Sequence, residues 1–357
     1  MGALASIFNS FTTYTNTVNE VGNSQVQADN TLLSVSGSSF GAFPPSTTSD
    51  FNVATACSAT STSPTNQNKL FFAAGMWWDF FTCNSNFQYS TSFDGVTWQA
   101  ATTIPGLVAG YTVGPYFDIQ VVGSTIYLVI AKVSSAGFQL GIGTLASGGT
   151  ASAPAGTITW TSAPAEVTTT ANALGPIQIE VDGAGNEWVA VVQGATAIAI
   201  YEHKACATAS NAGWEPNACD SSTAPTNYAP TASPNLGALS ANANMMIFSP
   251  PSDLAPIGAI LLYETGSATV PSTGTVAVIT QTALASTAWN QITLSGITAY
   301  SLTASSALFI GSTMYFAGLQ NAATGQTTGN LKFWTLTFTA MAAGTNSAEQ
   351  TIESSTL

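Results

Sequence analysis

Three carboxylates, Asp50, Asp118 and Glu180, stand where strand-rich segments would bring them together. Two carboxyl groups facing one cavity are the chemistry of glycosidic-bond cleavage: one protonates the leaving oxygen, the other acts as base or nucleophile. Asp118 lies five residues before the turn glycine of "FDIQVVGSTIYLVIA". The same count gives Gln178 in "IQIEVDGAGNEWVAVV" and Ser306 before "IGSTMY", and a count of three gives Gln120, Glu180 and Leu308. Asp118 and Glu180 are therefore two positions apart on equivalent strands, and Asp50 opens another segment at "FNVATAC". The competing reading is that polar residues on such strands bond backbone groups or water.

A second chemistry is binding. In "GMWWDFF", Trp77 and Trp78 are of a type that stacks on sugar rings or anchors an interface. Neighbours in a strand point to opposite faces, so at least one of them packs inside. Trp77, Trp78, Gln120 and Gln178 form the candidate binding set, and Asp79 is read as a strand-end carboxylate facing solvent. Glu202, His203 and Lys204 read as a solvated charged cluster. "VDGAGNEW" lacks the spaced carboxylates of a calcium loop, and Asp182–Asn186 suits a hairpin turn. No metal ligand set, cofactor motif, P-loop or Ser-His-Asp arrangement is present in the sequence.

The elements that must carry these residues are strands. Apolar residues recur in short alternating bursts between Gly, Ser, Thr, Asn and Pro, and no run approaches the roughly 18 needed for a spanning helix. "VGSTIY" at Val122–Tyr127 returns as "IGSTMY" at Ile310–Tyr315, each a tight turn between two strands. "GVTW", "TITW", "AGW" and "TAW" end at Trp98, Trp160, Trp214 and Trp289 and mark a later strand of the same unit. Four strands per unit, repeated, predict an all-β fold, a single β-propeller. The units fall near 50–105, 111–168, 172–225, 232–296 and 299–340. Five blades is the expectation and six the alternative. The last unit lacks a Trp-led fourth strand, and "NTLLSVSG" at Asn30–Gly37 is a candidate to fill that place.

"SFDGVTW" at Ser92–Trp98 resembles the Asp-box of the sialidase-like propellers, with one residue fewer between Asp and Gly. The resemblance covers seven residues. It implies a turn between third and fourth strands, away from any active site, with Ser92, Asp94, Gly95 and Trp98 in structural roles. The residue chemistry agrees, since Asp accepts N–H bonds in its own turn and Gly takes a left-handed conformation. Sialidase activity itself is not expected. The acid substrate of that family needs guanidinium forks, and the chain has no arginine.

Composition narrows the classes further. Charged residues make up 6% of the 357 residues, against about 25% in ordinary soluble proteins. The only cationic side chains are Lys69, Lys132, Lys204 and Lys332, with His203 the single histidine. A net charge of −13 excludes a phosphate-neutralising surface, so nucleic acid and anionic membranes are not expected partners. A surface of Ser, Thr, Asn and Gln fits an extracellular and acidic setting, where carboxylates approach neutrality. Cys57, Cys83, Cys206 and Cys219 allow three pairings, of which Cys57–Cys83 with Cys206–Cys219 is the most economical. No N-x-[ST] sequon occurs. The N-terminus shows neither the basic n-region nor the continuous apolar h-region of a secretory signal, so either a leader is already absent or export by another route is expected, and "MGALAS" fits a short myristoylation pattern that is often matched by chance.

Residues 1–29 stand outside the repeat. Leu4, Ile7, Phe8, Phe11, Tyr14 and Val18 fall at helical spacing, although the threonines among them favour an extended arm as competitor. Such an arm would fold back on the propeller of residues 30–345 or dock into a neighbouring subunit, and residues 346–357 read as a polar tail, part of which could form an edge strand. The sequence thus favours a non-enzymatic structural or adhesive propeller on an extracellular assembly, such as a virion or surface filament. Its expected partners are copies of itself, other subunits or a glycan, and no cofactor is expected. The alternative is a secreted glycoside hydrolase using Asp50, Asp118 and Glu180.

Overall fold

A computed structural model of the chain describes residues 34–35, 38–39, 69–83, 86–107, 116–131, 135–182, 185–193, 197–203, 245–248, 260–265, 275–281, 288–297, 300–320, 328–340 and 343–356. The chain divides into two units, Met1–Asn52 and Val53–Leu357. In the first, β1 (Ser34–Val35) pairs antiparallel with β2 (Ser38–Ser39). The candidate arm residues and Asp50 lie outside the described residues. The second unit is all-β among its described residues, and no helix there is long and apolar enough to cross a membrane.

Its strands form consecutive antiparallel meanders. The first sheet runs β3 (Leu70–Ala73), β4 (Met76–Cys83), β5 (Asn86–Ser92) and β6 (Thr102–Thr103). The next begins with β7 (Tyr116–Val122), β8 (Thr125–Ala131) and β9 (Ser135–Ala146), and continues into β12 (Thr157–Val181). Between β9 and β12, a small hairpin pairs β10 (Gly149–Thr150) with β11 (Ala153–Pro154). A third meander uses the far end of β12 with β13 (Glu187–Gln193) and β14 (Ala197–His203). A fourth comprises β15 (Met245–Phe248), β16 (Ile260–Thr265), β17 (Thr275–Gln281) and β18 (Trp289–Ile292). The last comprises β19 (Tyr300–Ile310), β20 (Thr313–Gln320), β21 (Thr328–Ala340) and β22 (Ala343–Asn346), with β23 (Gln350–Thr356) also paired to β21.

One expectation changes here. The second and third units are not separate sheets, because β12 is the outer strand of one and the first strand of the next. Its ladder to β9 is interrupted at Trp160/Ser162, Ser162/Ala165 and Val167/Asn172, and its ladder to β13 at Ala173/Ile177. Bulges of this kind let one strand bend from one partner to another. Of Asn30–Gly37, only Ser34 and Val35 are among the described residues. Strand β22 pairs with the C-terminal half of β21 and β23 with its N-terminal half, so part of the polar tail forms the edge strand that was one option for it. Lys332 ties this end of the chain to the sheet by bonding Thr351 at 2.8 Å and Glu349 at 3.3 Å.

The tight turns follow the sequence. Gly123–Ser124 and Gly311–Ser312 each join a ladder pair directly, with Gly123 at φ +62° and Gly311 at φ +56°. Ala74–Gly75 does the same in the first sheet, with Ala74 at φ +50°. Two-residue hairpin loops need positive φ, which is why glycine recurs there. Trp289 opens a fourth strand, but Trp160 lies inside β12 and covers β9. A Cβ added at Gly141 would come within 2.9 Å of the Trp160 ring.

Apolar faces hold neighbouring sheets together. Met76, Trp78, Phe80 and Phe87 of the first sheet pack on Phe117, Ile119 and Leu128 of the second. The second sheet's other face, with Val129, Phe138 and Leu140, packs on Ile177, Val189 and Tyr201 of the third meander. Val278 and Ile292 of the fourth sheet pack on Met314, Phe316 and Trp334 of the fifth.

Candidate functional site

The polar positions of the first strands hold the meanders side by side. Asp118 is 4% exposed on β7, and its Oδ2 accepts the backbone N–H of Ile179 on β12 at 3.1 Å. Gln178 on β12 repeats the arrangement: its Oε1 accepts the backbone N–H of Ile247 on β15 at 3.1 Å. Both occupy the place five residues before the hairpin turn. The edge N–H groups of a first strand have no ladder partner on that side, and a side-chain oxygen from the preceding sheet satisfies them. Glu180 faces Trp188 across the β12–β13 ladder, and Gln120 faces Tyr127 across β7–β8; both are half-buried. Of the trio in the glycoside-hydrolase alternative, Asp118 thus bonds the residue just before Glu180. Asp118 is directed at a backbone amide and Asp50 lies outside the described residues.

The turn of "SFDGVTW" joins β5 to β6, the third and fourth strands of their sheet. Asp94 Oδ1 accepts the N–H groups of Val96 at 2.8 Å and Thr97 at 2.7 Å, and Ser92 Oγ accepts that of Gly95 at 2.8 Å. The Trp98 indole N–H donates to Gly95 O at 3.1 Å, and Gly95 sits at φ +74°. The Thr97 and Val96 amides hold the Asp94 carboxyl below the ordinary carboxylate range. An acceptor occupied by its own turn has no geometry for proton transfer to a substrate. "VDGAGNEW" is built alike: Asp182 accepts Asn186 N–H at 2.9 Å, the Asn186 amide at 3.0 Å and the Trp188 indole at 3.3 Å.

The structure corrects the reading of His203. It is fully buried, and Glu202 and Glu187 are buried with it, so this is not a solvated cluster. Glu187 and His203 are ladder partners across β13–β14, and Glu187 Oε2 lies 2.5 Å from His203 Nδ1. Burial pushes the Glu187 carboxyl up, opposed by the bond and charge of His203, with Asp182 adding a smaller upward push. Tyr127 is raised by burial and then by the charge of Glu187. The sequence carried a signal for this pair, since "EW" opens one strand-like segment and "EH" closes the next. What was missing was the register that places residues 187 and 203 opposite each other. Lys204 lies outside the described residues.

The aromatic candidates divide between the two faces of β4. Trp78 is fully buried, with its indole N–H on Ala73 O at 2.9 Å. Trp77 is 38% exposed and meets Phe72 edge-on at 5.3 Å. Asp79 is not a solvated strand-end carboxylate: it sits mid-strand opposite Leu70 and Ser90, partly buried. Burial raises its carboxyl to about 6, against a smaller downward pull from Lys69. A raised acid favours folding below its unfolded value near 4, and that advantage is lost as pH rises through about 6. Asp79→Asn is therefore expected to gain about 2 kcal/mol over the parent at pH 7.5 and almost nothing at pH 3.5. Urea midpoints at both pH values check this, and equal gains at both would refute it. Cys83 is buried and disulfide-bonded; Cys57, Cys206 and Cys219 lie outside the described residues.

No protein-family model matches the chain. No curated protein matches it either. Among solved structures it is similar to a GH43 endo-arabinanase from Bacillus licheniformis, with 14% identity, 78% of this chain and 95% of that one covered, and a TM-score of 0.38. It is also similar to a Trypanosoma rangeli sialidase mutant displaying trans-sialidase activity (12%, 75% and 45% covered, TM-score 0.43). A third is the major Malassezia sympodialis allergen Mala s 1 (9%, 82% and 80% covered, TM-score 0.45). The match spans under half of the sialidase chain. With TM-scores below 0.5, these likenesses carry no argument about this chain.

Proposed function

We propose that the meanders are blades of a single β-propeller, five in number with six as the alternative, and that the chain is a non-enzymatic structural or adhesive module outside the cell. Its partners on this reading are further subunits or a glycan. The observation that supports it is the bond from Asp118 to the Ile179 amide, repeated by Gln178 and Ile247. Asp118, a first-strand acid suited to catalysis, is used to hold adjacent strands in step. The test is a hydrolysis screen on neutral oligosaccharides and polysaccharides with the parent chain, Asp118→Asn and Glu180→Gln. No turnover above buffer is expected from any of them. Turnover by the parent that either variant abolishes, with the fold intact by circular dichroism, would make the chain an enzyme.

One observation favours a second reading, a secreted carbohydrate-active enzyme. Asp79, raised to about 6, has the pKa of a general acid and lies near the exposed rings of Phe72 and Trp77, which suit sugar stacking. Asp79→Asn in the same screen separates the readings: loss of turnover there alone would place the chemistry on that face.

A further inference from the structure

On one face of the first sheet the ladders set two rows of side chains next to each other. Leu70, Asp79 and Ser90 form one row across β3, β4 and β5, and Phe72, Trp77 and Ser92 form the next. Leu70 and Phe72 are each 57% exposed and Trp77 38%, while Ser90 and Ser92 are fully buried. Asp79 stands half-buried between the open and the closed ends. The strip is therefore apolar where it is exposed and polar in its middle.

Phe72 and Trp77 meet edge-on, with ring centroids 5.3 Å apart and planes at 69°. Such a pair makes a corner, in which one ring offers its face and the other a wall. Trp77 is also backed by the Asp94 turn, since a Cβ added at Gly95 would lie 3.9 Å from its indole nitrogen. Exposed rings held in place present contact area at little entropic cost, and the C–H faces of a sugar stack on them.

The polar middle argues against an apolar occupant. An apolar sheet face laid on the strip would bury the Asp79 carboxyl without bringing it a donor, which costs stability. Ser90 Oγ is already buried with no hydrogen-bond partner, directly across the ladder from Asp79. Orphan hydroxyls are rare in folded proteins, and one beside a carboxylate has a use where a ligand brings hydroxyls of its own. A carboxylate can accept up to about four hydrogen bonds, and the Phe80 backbone N–H supplies one at Asp79.

Charge narrows the ligand further. Asp79 is the only acid of β3, β4 and β5, and Lys69, just before β3, is its cationic neighbour. The chain carries a net charge of −13 and no arginine, so an acidic sugar would be repelled with no guanidinium to clamp it. A lone carboxylate also lacks the second acid that glycoside cleavage requires. One acceptor beside two rings supports binding without cleavage.

We propose that the strip on β3 and β4, with Phe72 and Trp77 as stacking rings and Asp79 as hydroxyl acceptor, binds an uncharged hexose or pentose glycan. This rests on the adhesive reading above and gives its glycan partner a place on the chain. It assigns Asp79 to holding the sugar, not to cleaving it.

The experiment screens the full chain on an array of neutral hexose and pentose oligosaccharides beside uronic-acid oligosaccharides. The strongest neutral binder is then titrated by calorimetry at pH 7.5. Binding is expected from neutral glycans only. Trp77→Ala should weaken it about tenfold or more, whereas Trp77→Phe keeps a ring and most of the affinity. Asp79→Asn should weaken it about three- to tenfold. The parent at pH 4.5 should fall to the level of that variant, because its carboxyl is then protonated. Leu308→Ala, at an exposed position on the last sheet, should change nothing. Circular dichroism checks the fold of each variant. Neutral binding that survives both Trp77→Ala and Asp79→Asn would overturn this site and leave adhesion to another part of the chain. No binding by the parent would overturn it too and leave further subunits as the partners. Cleavage of the bound glycan, lost in Asp79→Asn, would overturn both this role for Asp79 and the adhesive reading.

Discussion

His203→Ala is expected to lower unfolding stability by about 3 kcal/mol at pH 7, because it leaves a buried carboxyl without the imidazole beside it. Glu187 and His203 are 2% and 0% exposed and stand opposite each other across β13–β14. Burial already pushes the Glu187 carboxyl up, and His203 is the group that pulls it back. Removing the imidazole leaves the upward push of burial and the nearby Asp182 charge opposed only by a backbone hydrogen bond. The sign of the pH dependence follows. A carboxyl raised above its unfolded value favours folding at low pH, and the advantage is lost as pH rises through the folded value. His203→Ala should therefore cost least near pH 4 and most above neutrality. Glu187→Leu combined with His203→Leu should recover much of the loss, since replacing both members by apolar groups leaves no buried charge. Urea unfolding of the parent, His203→Ala, Glu187→Leu and the double leucine variant at pH 4 and pH 7.5 makes the comparison. A single-variant cost below about 1 kcal/mol at pH 7.5 would show that the pair is not coupled.

How far the sequence revealed this molecule depends on the distance over which each feature is encoded. The hairpins at Gly123 and Gly311 were legible because a two-residue loop needs positive φ and two alternating strands flank it, all within about fifteen residues. The Asp94 turn was legible for the same reason, since donor and acceptor lie within the seven residues of Ser92–Trp98. Trp77 and Trp78 divide between two faces because side chains alternate in any strand. The features misread were those set by register between distant residues. His203 and Glu187 are sixteen positions apart, and nothing local shows that they meet inside the sheet. Asp79 reads as polar and therefore exposed, until the ladder places it between Leu70 and Ser90. Composition left residues 350–356 open between a polar tail and an edge strand, and the ladder to β21 decides for the strand. Candidate catalysis depended most on distant geometry, because three carboxylates on separate strands converge only if register and tilt agree.

Asp118 is where that geometry can be tested most sharply. Its Oδ2 accepts the Ile179 N–H across the seam between two first strands, in a place almost closed to water. Asp118→Ala removes the acceptor and leaves a buried amide unsatisfied, which costs about 2–3 kcal/mol. Asp118→Asn keeps a carbonyl oxygen at the same reach, and its cost should stay near or below about 1 kcal/mol. Gln178→Ala should behave as the weaker version of the same lesion, exposing the Ile247 amide at the next seam, at about 1–2 kcal/mol. Amide hydrogen exchange locates the effect: Ile179 should exchange faster in Asp118→Ala but not in Asp118→Asn, and Ile247 faster only in Gln178→Ala. A structural acceptor and a catalytic carboxylate respond oppositely to asparagine. The first tolerates it, because only a lone pair is needed; the second does not, because a proton must be exchanged. Stability and exchange preserved in Asp118→Asn would therefore identify the residue as a strand-to-strand tie. Equal destabilisation by Asn and Ala would mean that the carboxyl holds something an amide cannot, and the tie would no longer be a sufficient account of why an acid stands there.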